Sequence, residues 1–291
     1  MNKLICVVLA SVLLSCEKDI NFDLKESPNV LVVDAEIEND KAPTVVLTKS
    51  FSYFSQINPQ LLASSFVHDA EVYISNGTLT HKLKEYTYPL VPGYSAYVYS
   101  IDSSSLATAF LGELNKSYTL KILSEGKEYN ASVKIPALAG TPDSIYFKQA
   151  PFIPDTNKRA MFVKALEPLG LGNYYRYLTK VNSGPFLPGA NSVFNDQVID
   201  GSTYDVQFPQ GIDRNDPPKA DSNFYNRGDT VTFKYCNIDK STYDFWSTWE
   251  FANQSIGNPF SQPNKVLGNI SNGALGAFCG YGAWYRTVIV K

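Results

Sequence analysis

Tyr118-Thr119-Leu120-Lys121-Ile122-Leu123-Ser124-Glu125-Gly126-Lys127-Glu128-Tyr129-Asn130-Ala131-Ser132-Val133-Lys134-Ile135 alternates apolar and polar side chains in two runs divided by a Glu-Gly pair. A period of two residues puts every second side chain on one face, which marks a strand buried on one side and solvated on the other. The Glu-Gly pair supplies the flexible residue that closes the two runs into a hairpin. Working upstream, the same reading gives strands over residues 30–37, 44–51, 71–75, 78–86 and 94–101, with Asn76-Gly77 suited to a type I′ turn. These seven strands with polar turns predict a β-sandwich over residues 29–137.

Downstream, Pro136-Ala137-Leu138-Ala139-Gly140-Thr141-Pro142 has no amphipathic period and is bracketed by prolines, as an interdomain connector would be. A second β-rich domain is expected over 142–291, with strands near 144–148, 160–166, 174–181, 229–237 and 283–290. Residues 201–229, rich in Gly, Pro, Asp and Asn, read as a long loop. Ser241-Thr242-Tyr243-Asp244 offers a helix N-cap, and Tyr243, Trp246, Trp249 and Ala252 follow at helical spacing, so one helix is expected to pack on the second sheet. The approach from Gly112 to Leu120 resembles the entry to a late strand in immunoglobulin-like and transthyretin-like sandwiches. The expected fold is therefore mostly β: such a sandwich first, then a second β-rich domain with one packed helix.

Lys3, the apolar run Leu4 to Leu14 and the small residue Ser15 have the layout of an export signal over residues 1–15. The apolar run is too short to span a bilayer, which takes roughly 20 residues. Leu13-Leu14-Ser15-Cys16 resembles the lipobox of bacterial lipoproteins, which implies that Cys16 becomes the acylated first residue of the mature chain. An ordinary cleaved signal with a chance cysteine is the other reading. Residues 16–28 would then be a tether. Its first residues, Glu17-Lys18-Asp19, partly match the acidic export signal of Bacteroidota lipoproteins and lack the aspartate at mature position two that resembles an inner-membrane retention signal. A membrane partner through the lipid anchor and an envelope location follow as expectations.

Lysine and arginine number 25 against 28 aspartates and glutamates, a net charge of −3 that becomes −4 once Lys3 leaves with the signal. Without a cluster of basic residues to displace phosphate counterions, nucleic-acid binding is disfavoured. Cys236 and Cys279 remain after Cys16 is modified; in an oxidising compartment they are either a disulfide or two half-buried thiols. Catalytic chemistry is thin. His68 and His81 both fall in the first sandwich, His81 at a strand position expected to face solvent, and the lone His68-Asp69 pair is a loop detail before it is an acid–base pair. Asp213, Asn215 and Asp216 miss the EF-hand pattern, which would want Gly and Glu where Pro218 and Phe224 stand; an irregular calcium loop and a plain polar loop are the two readings. No cofactor motif is present, and neither an enzyme nor a metal site is expected.

Asn258-Pro259-Phe260-Ser261-Gln262-Pro263, followed by Gly268-Asn269-Ile270-Ser271-Asn272-Gly273-Ala274-Leu275-Gly276-Ala277-Phe278, resembles the C-terminal signature of the Bacteroidota lipoprotein family called domain of unknown function 4249. Cys16 to Ile20, Leu31 to Ala35, Ala70-Glu71-Val72, Gly228-Asp229 and Tyr243-Asp244-Phe245-Trp246 agree with it. The resemblance implies a binding accessory to a TonB-dependent outer-membrane receptor in nutrient uptake, with that receptor and a small nutrient or glycan as partners. A structural or adhesive surface lipoprotein and a hydrolase of unfamiliar type are the competing functions. The signature's Asn-Pro and Asn-Gly pairs also make sense as turns, and Gly280 and Gly282 as room for the ring of Trp284 or Tyr285. For a binding surface, Phe186, Phe194, Phe224 and Tyr225 stand out, because they sit beside Gly184-Pro185, Pro188-Gly189 and Pro217-Pro218, outside every strand or helix predicted above, and accessible aromatics dominate binding hot spots.

Overall fold

The computed structural model describes residues 29–52, 55–91, 93–216, 221–258 and 264–291. Cys16, the signal, the tether, Pro217-Pro218 and the signature stretch Pro259 to Pro263 lie outside the described residues. The chain is mostly β. Its first part runs β1 (Leu31–Glu38), β2 (Thr44–Lys49), α1 (Pro59–Ser65), β3 (Glu71–Ser75), β4 (Thr80–Val91), β5 (Tyr94–Ile101), β6 (Lys116–Ser124) and β7 (Lys127–Ile135). The second runs β8 (Ser144–Gln149), β9 (Lys158–Leu166), β10 (Tyr174–Val181), β11 (Phe186–Asn195), β12 (Thr203–Phe208), β13 (Tyr225–Asn226), β14 (Thr230–Ile238), α2 (Lys240–Gln254) and β15 (Leu275–Ile289).

Eleven strands form one continuous sheet, in the order β11-β10-β14-β15-β1-β2-β5-β4-β3-β6-β7. At the β4 to β3 step the sheet folds over, so that Leu31, Val33, Ala35 and Ile37 of β1 share a core with Tyr118, Leu120 and Ile122 of β6 and Val133 and Ile135 of β7. The alternation in the β6–β7 hairpin is what fills this core: Tyr129, Ala131, Val133 and Ile135 are buried while the residues between them are exposed. The hairpin turn has positive φ at both Glu125 (50°) and Gly126 (74°), the type I′ geometry. At Asn76-Gly77 only the glycine has positive φ; Asn76 instead accepts from the amides of Thr78 and Leu79 through Oδ1. The tight-turn chemistry expected at Asn76-Gly77 thus resides in the other hairpin.

In the second part the large sheet is covered on both faces. Val231, Phe233 and Tyr235 of β14 point to a small sheet of β9, β12, β13 and β8, where they meet Met161, Val163, Phe208 and Tyr225. On the other face Cys236 and Ile238, with Ala277, Cys279, Tyr281 and Ala283 of β15, pack beneath Tyr243, Phe245 and Trp246 of α2. The helix starts two residues earlier than the sequence suggested, because Asp239 is the N-cap and accepts from the amide of Thr242 at 2.9 Å.

Strand β15 ties the two parts together. Its first half pairs in parallel with β1, from Val32–Leu275 to Glu38–Tyr281, and its second half pairs antiparallel with β14, from Ile238–Tyr281 to Thr230–Ile289. Phe278 therefore lies in the first core, whereas Trp284 and Val288 pack against the second. A partition at residues 137 and 142 does not separate these contacts, since Ile270, Ala274 and Phe278 return to the first sandwich. The connector is also held: Gly140 and Pro142 are buried, and the Asn237 side chain both donates to and accepts from the Ala139 backbone at 3.1 Å. Gly280 and Gly282 make room for backbone and not for a ring, because a Cβ there would stand 2.7 Å from the Lys134 carbonyl and 2.8 Å from that of Pro136.

Candidate functional site

Strand β11 is the edge of the large sheet, and β12 belongs to the small sheet facing it. Between them an open cleft of about 500 Å³ is walled by Tyr177, Phe194, Tyr204 and Phe208. Asn191, Asn195, Gln207 and Asn223 also line it, and no lining side chain is charged. Clefts of this size, apolar with a few convergent polar groups, are the usual form of small-ligand sites. The wall is itself an aromatic cluster: Phe194 stacks on Tyr175 with centroids 5.2 Å apart, and Phe208 meets Tyr177 edge-on at 4.8 Å. Burial pushes the Tyr177 and Tyr204 hydroxyls above the ordinary tyrosine range, so both keep their protons. The Tyr204 and Tyr235 hydroxyls are 3.0 Å apart.

One edge of the cleft is shaped by a break in the β10–β11 ladder. Arg176 pairs with Val193 while Leu178 pairs with Pro188, so residues 189–192 bulge opposite the single residue Tyr177. Gly189 permits this, since a Cβ there would sit 1.9 Å from the Tyr177 hydroxyl. The bulge is clamped from the helix side. Glu250 of α2, 3% exposed, accepts from the Ser192 amide at 2.8 Å, from Ser192 Oγ at 2.5 Å and from Arg214 Nη2 at 3.0 Å. Arg214 also donates to the Gly189 carbonyl at 3.1 Å, and Gln254 donates to the Ala190 carbonyl and to Asn191 Oδ1, both at 2.8 Å.

The bulge decides the fate of the aromatic residues singled out from the sequence. Phe194 lines the cleft, but Phe186 pairs with Lys180 on the opposite face of the sheet, where its edge meets Tyr285. In an unbroken strand residues eight apart would share a face. Both belong to β11, and Tyr225 belongs to β13, so the expectation that they stand outside strands is corrected. Tyr225 is fully buried in the second core against Phe147, because its strand closes the small sheet; it contributes nothing to a surface. Phe224 is half-buried.

Cys236 and Cys279 are two free, buried thiols. The register explains why they do not bond: Cys236 faces Ala283, and Cys279 stands four positions along β15, about 13 Å at the strand rise. A disulfide needs Cα atoms within about 7 Å. Burial pushes both thiols up to about 12. His81, expected at the surface, is 1% exposed; its Nε2 accepts from the Asp102 amide, which leaves Nδ1 to donate to Thr108 Oγ1. His68 pairs with Glu85 at 2.8 Å. Asp213 accepts from the Asn215 amide and side chain, which closes a local turn, and among the described residues no group of three or more His, Cys, Asp or Glu could hold a metal ion.

Tyr177, Tyr204, Phe208 and the Glu250–Arg214 clamp were not found from sequence. The signal for β12 was available, since Thr203 to Phe208 alternates, but it lies within a Gly-, Pro- and Asp-rich stretch. Fold and cleft together define a mostly β protein of two packed sandwich units sharing one sheet, with an uncharged aromatic cleft at the outer edge of the second. The chain belongs to the family described as Domain of unknown function (DUF4249), whose model matches residues 17–284. No curated protein matches it.

Proposed function

We propose that this chain is a lipid-anchored envelope protein that works by binding, as an accessory to a TonB-dependent outer-membrane receptor in nutrient uptake. The observation that carries the reading is the uncharged cleft between β11 and β12. Aromatic walls offer flat apolar faces, while the rim amides offer both donors and acceptors. That chemistry suits an uncharged nutrient with one apolar face and several hydroxyl or amide groups, a glycan among them. The lipobox-like Leu13-Leu14-Ser15-Cys16 supplies the anchor, and among the described residues no helix is long and apolar enough to cross a membrane.

The test is purification of the lipidated protein from its native membrane in mild detergent. The expected result is one outer-membrane receptor retained in stoichiometric amount, with a small uncharged molecule released on denaturation. Phe194→Ala and Tyr204→Ala should lose the small molecule while keeping the fold. Recovery of the protein with no receptor, or retention of the molecule by both variants, would overturn the proposal.

A further inference from the structure

Ser50 to Val67 and Tyr86 to Ile101 carry no charged residue. They are remote in sequence from the start of the fold, yet the topology brings both to it. Strand β1 begins at Leu31, which pairs with Lys49 at the end of β2, and the Ser50 amide donates to the Val30 carbonyl. The first stretch thus leaves β2 beside the point where the tether enters. Strand β5 runs antiparallel to β2, so the β4–β5 hairpin turns at this same end. Helix α1, in the first stretch, lies against that hairpin, with Gln60 Nε2 donating to the Tyr94 hydroxyl at 3.3 Å and the Phe66 ring meeting Tyr97 edge-on.

The outcome is an end surface with apolar side chains pointing into solvent. Ile57 is 68% exposed, Leu62 46%, Tyr88 52% and Leu90 68%. Isolated exposed apolar residues need no explanation, but a group of them on uncharged segments marks an interaction surface. Leu169 and Val198, by contrast, sit in second-part loops that also carry Asp196 and Asp200.

We propose that this end of the first sandwich docks on the lipid surface to which the chain is anchored. The proposal rests on the lipidation of Cys16. Twelve residues, Glu17 to Pro28, separate that cysteine from Asn29, a reach of at most about 45 Å fully extended. The end that bears Ile57, Leu62, Tyr88 and Leu90 is the one the tether enters, and is therefore the end held nearest the bilayer. Its composition fits the bilayer interface, where tyrosine rings and aliphatic tips enter the headgroup region without any need for anionic lipid. Docking there would turn the cleft of the second part away from the membrane, since β15 runs from β1 outward to that part.

The test places nitroxide labels on the lipidated protein in phosphatidylcholine vesicles, through Ile57→Cys and Leu90→Cys, with Val198→Cys as the outer control. Cys236 and Cys279 are buried and will not take the label. Labels at 57 and 90 should become more accessible to oxygen than to a water-soluble nickel complex, while the label at 198 stays in water. Equal nickel access at all three sites would overturn the proposal. In parallel, the unlipidated chain from Glu17, which keeps every described element, is floated with the same vesicles. It should partition weakly, and Leu90→Asp should reduce that partition at least about tenfold. Flotation lost in neutral vesicles, or unaffected by Leu90→Asp, refutes the surface. If mass spectrometry finds Cys16 unmodified while the unlipidated chain still floats, the anchor reading alone falls. A dimer in sedimentation that Leu90→Asp dissolves would reassign the surface to self-association and overturn docking.

Discussion

Gly276→Ala should weaken both halves of the molecule at once. Gly276 is paired with Val33, the second pair of the β1–β15 ladder, and has φ of +89°. An alanine there meets two obstacles. The backbone conformation is disfavoured for an L residue by roughly 1–2 kcal/mol, and its Cβ would stand 1.9 Å from the Val33 carbonyl oxygen. The contacting atoms are backbone, so no side chain can rotate away; the strands must part until the gap exceeds 3.0 Å. Losing one or two ladder hydrogen bonds adds about 0.5–1.5 kcal/mol each. The sum is roughly 2–5 kcal/mol, a large share of the 5–15 kcal/mol that holds a typical protein folded.

Urea unfolding followed by two probes tests this. All three tryptophans, Trp246, Trp249 and Trp284, lie in the second part, so their fluorescence reports it alone, while far-ultraviolet circular dichroism reports both. Because β15 is continuous, the two signals should fall together and the midpoint should drop by about 1 M, taking a slope near 3 kcal/mol per molar urea. A tryptophan midpoint unchanged from wild type, with a separate earlier step in circular dichroism, would show that β15 does not couple the parts. A negligible shift in both signals would refute the close approach itself.

Glu250→Ala should cost about 3–5 kcal/mol, because it strips a buried ion pair of one partner and leaves the Ser192 amide unsatisfied; Glu250→Gln should cost less, and thermal melts of the two compare them. The thiols of Cys236 and Cys279 should resist an aromatic disulfide reagent at pH 8 in the folded protein and react fully in denaturant, and fast labelling without denaturant would contradict their burial. Burial holds the Glu167 carboxyl above its ordinary range, even though Tyr175 and Asn173 donate to it. A raised acid binds its proton more tightly when folded, so its stabilising contribution is complete below the unfolded value of about 4.3 and is lost as pH rises through the folded value. Glu167→Gln should therefore gain on wild type between pH 4 and pH 7, and an opposite trend in urea midpoints would contradict the raised value.

The first sandwich was legible because its strands obey one rule, burial on one face. Val72 and Ile74 of β3, and Tyr118, Leu120 and Ile122 of β6, announce that face by alternation alone. The second part was legible in β14, where Val231, Phe233 and Tyr235 alternate with less buried neighbours, and in the apolar, aromatic run of β10, and failed where the strands were irregular. Strand β11 carries Pro188, Gly189 and a bulge, so its pattern reads as loop, and β13 is only two residues long. The long reach of β15 was hidden for another reason. Gly276, Gly280 and Gly282 serve close backbone approaches that are set by residues far away in sequence, Val33, Lys134 and Pro136. Local pattern carries no information on such partners. The cleft was hidden by the same logic, since its walls come from three strands, two of which, β11 and β12, had not been drawn.

The clamp behind the cleft is better understood as shaping than as stabilising. Burying Glu250 against Arg214 removes two charges from water, and that cost offsets most of their attraction, so an apolar pair of similar volume could hold helix and sheet together as well. An apolar pair could not do what Glu250 also does, which is to accept from the Ser192 amide and hydroxyl at the end of the 189–192 bulge. Nor could it replace the Arg214 bonds to the Gly189 and Ala190 carbonyls at the other end. The bulge leaves its backbone groups without ladder partners, and the clamp supplies them from the helix side. Asn191 is thereby fixed at the cleft, and the odd number of extra residues is what turns Phe194 to the cleft side while Phe186 faces away. A site whose rim is already fixed loses little conformational freedom when a ligand enters, which is where affinity in a small uncharged cleft must come from.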